Sequence, residues 1–313
     1  MKKLRLFRSN LFPVLFIFGL VLVSCKKKES DPEKLNETIL EGTTTILVDQ
    51  TVQPIIEDQV AVFENQYRAK INLVNKSETE VVNDLITDKA KIAILSRTLN
   101  EKEQVVFKNK KIYPKITKFA VDAVALVTNN QSQDTVADLE EIIKLMQSKN
   151  SKVKGLVFEN ANSSTIRYLS ELSKITALPK EKIFALNSDT ELYKFISENA
   201  GLIGVVGLNT IVQPTAENQI YLKKIKVMGV RNLSSKPNHL KYYKPSQENL
   251  ALGVYPLQRE LYMLNYQGSA GLGMGFASFI AGEIGQRIIL KSGLLPVRMP
   301  GRELNIRSQI LKQ

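Results

Sequence analysis

The chain has 313 residues, with 43 Lys and Arg against 31 Asp and Glu, one His, one Cys and 43% apolar residues, a globular rather than disordered composition. A single cysteine excludes an intramolecular disulfide and any zinc site built on cysteine pairs, and a single histidine, His239, excludes two-histidine metal motifs. One core of this length is near the size at which chains divide, so two lobes of roughly 100–150 residues are expected.

Residues 1–24 read as an export signal: Lys2, Lys3, Arg5 and Arg8 precede an apolar run over 11–23. That run is shorter than the roughly 20 residues a bilayer crossing needs. It ends in Leu22-Val23-Ser24-Cys25, which resembles the lipobox of bacterial lipoproteins, in which the chain is cut before the cysteine and the thiol is acylated. The alternative is an ordinary secretory signal with a chance cysteine at its end. Cys25 is thus the expected lipidation site and residues 25–37 the tether. Loss of the four basic residues of the leader takes the net charge from +12 to +8, and setting aside Lys26, Lys27 and Lys28 leaves +5. A surplus of that size suits small anions, while no dense basic helix or aromatic platform points to nucleic acid.

In the body, apolar strands alternate with amphipathic helices. The pattern predicts a strand over 44–49, a helix over 52–67, a strand over 70–74, a helix over 78–86 and a strand over 91–95, hence a parallel sheet with right-handed crossovers. Residues 119–128 form a long apolar strand that carries the chain into a second lobe, with Asp122 inside it as a hinge carboxylate awaiting a basic partner. A helix over 135–147, strands over 155–158, 183–186 and 202–206, and helices over 164–175 and 190–198 repeat the alternation. A polar stretch over 232–245 follows, an apolar segment over 254–265 returns the chain, and one long helix over 275–290 closes the body. Lobe 1 is then 38–122 with 255–313, lobe 2 is 123–254, and a cleft lies between them.

Ligands in open α/β sheets sit beyond the carboxyl ends of strands, where helix N-termini present free N–H groups. Three junctions there carry oxyanion donors: Asp49-Gln50-Thr51, Ser96-Arg97-Thr98, and Asn162-Ser163-Ser164-Thr165 with Arg167 in the following turn. Each alone also fits plain helix capping. Gly271-Leu272-Gly273-Met274-Gly275 follows no strand and has the wrong spacing for a dinucleotide loop, so it reads as a turn opening the last helix. Ser163 or Ser164 with His239 lacks the elbow motif of a hydrolase.

The lipobox, 46–51, 93–99 with Glu101 and Glu103, 158–169, 201–207, 255–262 and 276–296 together resemble, in order, the phosphate-binding proteins of ABC transporters, and more specifically their lipoprotein branch. The resemblance implies the α/β, two-lobed type II periplasmic-binding-protein fold with a double crossover hinge. It also implies capture of phosphate or a similar oxyanion and an ABC permease in the inner membrane as partner, with no catalysis, cofactor or metal. Location is then the cell envelope, lipid-anchored and facing the periplasm. Against that family, Asp49-Gln50-Thr51 replaces a glycine-rich loop, Arg97 stands where an Asp is usual and Glu159 where an Arg is usual. Arg97 is therefore expected to supply the charge missing at Glu159, and Asp49 the acceptor that favours protonated phosphate over sulfate. On that account Arg97→Ala weakens phosphate binding by roughly tenfold to a hundredfold. A secreted phosphatase-like hydrolase, and a surface interaction or sensory lipoprotein that kept the fold without the ligand, are the alternatives.

Overall fold

The computed structural model describes residues 37–301 as a single body; the leader, Cys25 and the tether to residue 36 lie outside the described residues. The chain begins β1 (Glu41–Asp49), α1 (Gln53–Gln66), β2 (Arg68–Lys76), α2 (Glu78–Ile86), β3 (Ile92–Leu95), α3 (Glu101–Asn109) and β4 (Lys115–Asn129). It continues β5 (Val136–Asp138), α4 (Leu139–Met146), β6 (Leu156–Phe158), α5 (Ser164–Leu172), β7 (Ile183–Ala185), α6 (Asp189–Glu198) and β8 (Ile203–Gly207). Then come α7 (Leu208–Val212), α8 (Asn218–Leu222), β9 (Ile225–Val227), β10 (Gly229–Arg231), β11 (Tyr242–Tyr243) and α9 (Gln247–Ala251). The described chain ends β12 (Gln258–Asn265), α10 (Leu272–Ala281), α11 (Glu283–Lys291) and β13 (Leu295–Pro296).

Ten of the described strands make one sheet in the order β2-β1-β3-β12-β4-β8-β6-β7, with β9 and β13 also on β4. β1 runs parallel to β2 and β3, as expected of strands joined by crossing helices. β4 changes partner along its length: Lys115–Ala123 face β12, whereas Val124–Asn129 face β8 and β9. Leu257, just before β12, accepts from Val124 N at 2.8 Å, so the outgoing and returning segments cross side by side. These are the two crossovers of a two-lobed α/β fold.

Strands of the first half are covered on both faces, which explains their unbroken apolar runs. Along β1, Ile46 and Val48 join the core beneath α1, α10 and α11, whereas Leu47 joins a second core with Val81, Val82, Leu85 and Phe107 of α2 and α3. Ile92 and Ile94 against Ala93 and Leu95 repeat this alternation on β3. Phe63 of α1 packs edge-on against both Phe276 and Phe279 of α10 at 5.3 Å.

Tertiary pairing overrides periodicity in several places. Val136–Asp138, expected at the start of a helix, instead pair with β10 as a strand of a separate three-stranded sheet, and α4 begins only at Leu139. The polar stretch over 232–245 contains the third strand of that sheet, β11. The single helix expected over 275–290 is two helices, because the extended backbone of Gly282 (φ −80, ψ 176) ends α10 and starts α11. The glycine run over 271–275 opens α10, with Gly271 as its N-cap and 272–275 as its first turn. Its bareness has a steric cause: a Cβ on Gly275 would lie 1.6 Å from the carbonyl oxygen of Ile39, which passes directly over the helix. α3 went unpredicted, although Asn100 and Glu103 form a capping box at its start.

Candidate functional site

The two strand-end junctions at Thr51 and Ser164 meet around a buried guanidinium. Arg259 of β12 stands opposite Asp122 of β4 in register, and its side chain is 1% exposed. Nε and Nη2 donate to Asp122 Oδ2 at 2.9 and 2.7 Å. Nη1 donates to Ser164 Oγ and Nη2 to Thr51 Oγ1, each at 2.9 Å, and the two hydroxyls lie 3.1 Å apart. Asp122 thus has the basic partner its place in an apolar strand demanded. Burial pulls the Arg259 guanidinium down, but the Asp122 and Asp49 charges outweigh it and leave it raised, so it stays charged. Gly207 makes room: a Cβ there would lie 2.8 Å from Thr51 O and 2.9 Å from Arg259 Nη2.

Asp49 ends β1 and caps the short 3-10 turn that follows, its Oδ1 accepting from Thr51 N at 3.1 Å. Its Oδ2 is buried and makes no hydrogen bond of good geometry among the described residues, although the neighbouring Ser164 hydroxyl favours its charged form. Burial, with the Glu78 charge, holds this carboxyl above its ordinary value despite the opposing Arg259 charge. Two more carboxylates are close enough to couple to it. Glu159 accepts from Thr165 Oγ1 at 2.9 Å with both oxygens, and Ser163 Oγ lies 2.9 Å from the same hydroxyl. Burial and the Asp189 charge push Glu159 up to about 8, and burial and the Asp49 charge push Asp189 up to about 7. Gln50 lies apart from the guanidinium, lining a 330 Å³ pocket with Gln53, Asp58, Asp189 and Gln213.

The third junction, Ser96-Arg97-Thr98, belongs to a rim cluster organised by Glu78 of α2, which is 3% exposed. Glu78 Oε1 accepts from Arg97 Nε at 2.8 Å and from Arg167 Nε at 2.6 Å, and Oε2 from Ser96 Oγ at 3.3 Å. Glu103 takes the remaining face of Arg97 through bonds of 2.7 and 2.9 Å, and Glu171 takes Arg167 Nη1 at 2.7 Å. Burial opposes the charge on Arg97, but Glu103 and Glu78 together raise its pKa. Thr98 is exposed and offers only its carbonyl, to Arg97 Nη1 at 3.0 Å. Asn162 is also exposed, its carbonyl accepting from Thr79 N and Oγ1 at 3.3 Å each. The charge that sequence reasoning assigned to the anion site is therefore matched by carboxylates, and the buried cation in contact with the predicted hydroxyls is Arg259. Sequence reasoning missed Arg259 as a site residue. A signal existed: an arginine in the apolar return segment can be buried only opposite a carboxylate, and Asp122 is that carboxylate.

The sequence profile of the PBP superfamily domain matches residues 36–283. The chain belongs to the PBP superfamily. Solved structures share the fold of this PBP superfamily member at low identity. A protein from Clostridium perfringens, described as a phosphate ABC transporter substrate-binding protein and solved with bound phosphate, superposes with a TM-score of 0.64 at 17% identity, over 82% of this chain and 100% of its own. An ABC-type phosphate transport receptor from Vibrio cholerae gives 0.61 at 18%, over 82% and 100%. A protein from Planctomyces limnophilus described as phosphate-binding gives 0.55 at 20%, over 83% and 94%. No curated protein sequence matches the chain. The fold is thus the type II periplasmic-binding-protein fold, and the family one of binding proteins rather than enzymes. Among the described residues no helix is long and apolar enough to cross a membrane.

Proposed function

We propose that this PBP superfamily member is an extracytoplasmic solute-binding lipoprotein that captures phosphate, or a closely related oxyanion, for an ABC permease in the inner membrane. The lobes are 38–122 with 255–313, and 123–254; the change of partners along β4 between Ala123 and Val124 supports that division. The observation that carries the ligand class is the juxtaposition of two hydroxyls and a buried guanidinium with Asp49 Oδ2, a buried acceptor without a well-formed hydrogen bond among the described residues. An anion between Thr51, Ser164 and Arg259 receives hydrogen bonds from groups that now bond one another, while Asp122 holds the guanidinium in position. A monoprotonated phosphate also supplies the proton that Asp49 Oδ2 lacks. Sulfate, with no proton at neutral pH, faces that carboxylate as a repelled pair. The phosphate-binding proteins of the same fold support this reading. Cys25 is the proposed anchor, placing the body in the cell envelope.

Closure follows from which elements meet. Thr51 precedes α1, Ser164 begins α5, and Glu78 of α2 reaches Arg167 of α5, so both the interior and rim clusters bridge the proposed lobes. A ligand that bonds both sides favours the closed state by its difference in affinity for the two states. Small-angle scattering with and without phosphate tests this: contraction on saturation is expected, and an unchanged radius with phosphate bound contradicts a hinge mechanism.

One observation favours a second reading, a sensory or interaction lipoprotein without a ligand: the guanidinium already satisfies both hydroxyls, and Arg97 and Arg167 are both neutralised by carboxylates. Absence of any phosphate, sulfate or molybdate binding supports that reading over capture.

A further inference from the structure

We infer that the captured oxyanion is the phosphorus end of a zwitterion, an aminoalkyl phosphate or phosphonate, whose ammonium group occupies the acid-lined pocket beside the Arg259 site. This inference rests on the phosphate-capture reading and names the substrate class of the same site. The 330 Å³ pocket is walled by side chains from residues 50–58 and from residues 189–218, and no Lys, Arg or His is among them. Glu57, Asp58 and Asp189 are. Glu57 accepts from Gln53 Nε2 and Asp58 from Gln213 Nε2, so these two carboxylates have uncharged partners. Asp189 Oδ1 is shut off from solvent and makes no hydrogen bond among the described residues.

The balance of charge gives the occupant its sign. Among the described residues Arg259 is the one cation of the interior cluster, and its ion pair is with Asp122. Arg97 and Arg167 are held at the rim by Glu78, Glu103 and Glu171. Asp49, Glu159 and Asp189 remain as three carboxylates without an ion pair of their own. They lie within reach of one another: beyond burial, the Asp49 charge pushes Asp189 up, and the Asp189 and Asp49 charges push Glu159 up. An oxyanion that enters alone adds to this excess, whereas one that brings an ammonium offsets it. A desolvated carboxylate oxygen without a donor is the group such a cation satisfies. The acids do not form a group that could hold a metal ion, which leaves an organic cation.

The two spaces adjoin. Gln50, which lines the pocket, stands between Asp49 and Thr51 in the chain. Thr210, which also lines it, donates to Gly207 O at 3.0 Å, and Gly207 lies against Thr51 and Arg259. A wall one or two residues thick, roughly 4–8 Å, is what a spacer of two or three carbons covers.

The test titrates the anchor-free protein near neutral pH with phosphoethanolamine, with propyl phosphate, whose terminal methyl replaces the ammonium, and with inorganic phosphate. Phosphoethanolamine should bind at least about tenfold more tightly than propyl phosphate, the worth of one charge-assisted hydrogen bond in a desolvated site. Asp189→Asn should bring that ratio to within about threefold without weakening inorganic phosphate, since it takes a negative charge from beside Asp49. Glu57→Gln with Asp58→Asn should lower the ratio only about two- to threefold, because both acids are exposed. Circular dichroism verifies folding, and the wild-type ratio and the double variant carry the test whether or not Asp189→Asn folds. Inorganic phosphate bound, with phosphoethanolamine no tighter than propyl phosphate, overturns the zwitterion and leaves phosphate capture standing. A preference that a folded Asp189→Asn leaves unchanged overturns it as well. Binding of none of the three refutes capture itself, and the inference with it.

Discussion

Arg259→Met removes the buried guanidinium while keeping a side chain of similar length. The substitution strips Asp122 Oδ2 of bonds of 2.9 and 2.7 Å and leaves a carboxylate that is 0% exposed with no partner from this arginine. Asp122 Oδ1 makes no well-formed hydrogen bond among the described residues, so only the nearby backbone amides of Ala123 and Asn209 offset the loss. Breaking a buried pair from one side costs about 3–5 kcal/mol, because the stranded charge keeps its desolvation cost and loses its attraction. Thr51 and Ser164 soften the loss slightly, as their hydroxyls still lie 3.1 Å apart. For a body of this size the melting temperature should fall by roughly 6–20 °C. The double variant Arg259→Met, Asp122→Leu should recover most of the loss, since replacement of a whole buried pair by apolar groups is often close to neutral. The single variant should also regain stability in acid, where Asp122 takes up a proton. Denaturant unfolding followed by circular dichroism measures all three. A single variant within about 1 kcal/mol of wild type, or a double variant as unstable as the sum of its parts, refutes the claim that this pair is a mutually dependent buried unit.

Other expectations follow from the same geometry. Asp49→Asn keeps a cap for Thr51 N but removes the repulsive carboxylate, so phosphate affinity should stay within about tenfold while sulfate becomes a ligand; an unchanged phosphate-to-sulfate ratio would leave Asp49 a helix cap only. Glu159 has its folded pKa raised to about 8 from an ordinary 4.5, so the native state keeps a proton that the unfolded chain has released across that window. Stability should therefore fall as pH rises from about 4.5 to 8, by up to about 1.4 kcal/mol per pH unit, and Glu159→Gln should flatten the slope. A slope unaltered by that variant assigns the proton elsewhere. Arg97→Ala leaves Glu78 bonded to Arg167, so phosphate affinity should drop less than tenfold, short of the larger loss that the sequence alone leads one to expect; a hundredfold drop in titration would return Arg97 to the anion site.

The fold was legible because most of its strands and helices announce themselves locally. The runs Ile46-Leu47-Val48 and Ile92-Ala93-Ile94-Leu95 are apolar on both faces because helices cover both, and α2 spans the same residues 78–86 that its periodicity predicts. Elements that depend on distant partners were not legible. Val136–Asp138 is a strand only because Gly229–Arg231 lies alongside, and nothing within its own window says so. The site divides in the same way. Thr51 and Ser164 stand at strand ends where local chemistry marks them, and the structure brings their hydroxyls together across 113 residues of sequence. Arg259 was missed because its role comes from register: β12 sets it opposite Asp122, a pairing of residues 137 apart in the chain. For Arg97 the local signal was real but incomplete, since Glu78 and Glu103 neutralise it from α2 and from its own neighbourhood.

Calorimetric titration of the anchor-free protein with phosphate, and separately with sulfate, tests the central claim most directly. Capture of a protonated oxyanion between Thr51, Ser164, Arg259 and Asp49 predicts saturable one-to-one binding of phosphate that Arg259→Met abolishes, with sulfate at least tenfold weaker. Heats indistinguishable from dilution for phosphate, or sulfate bound as tightly as phosphate, would contradict it.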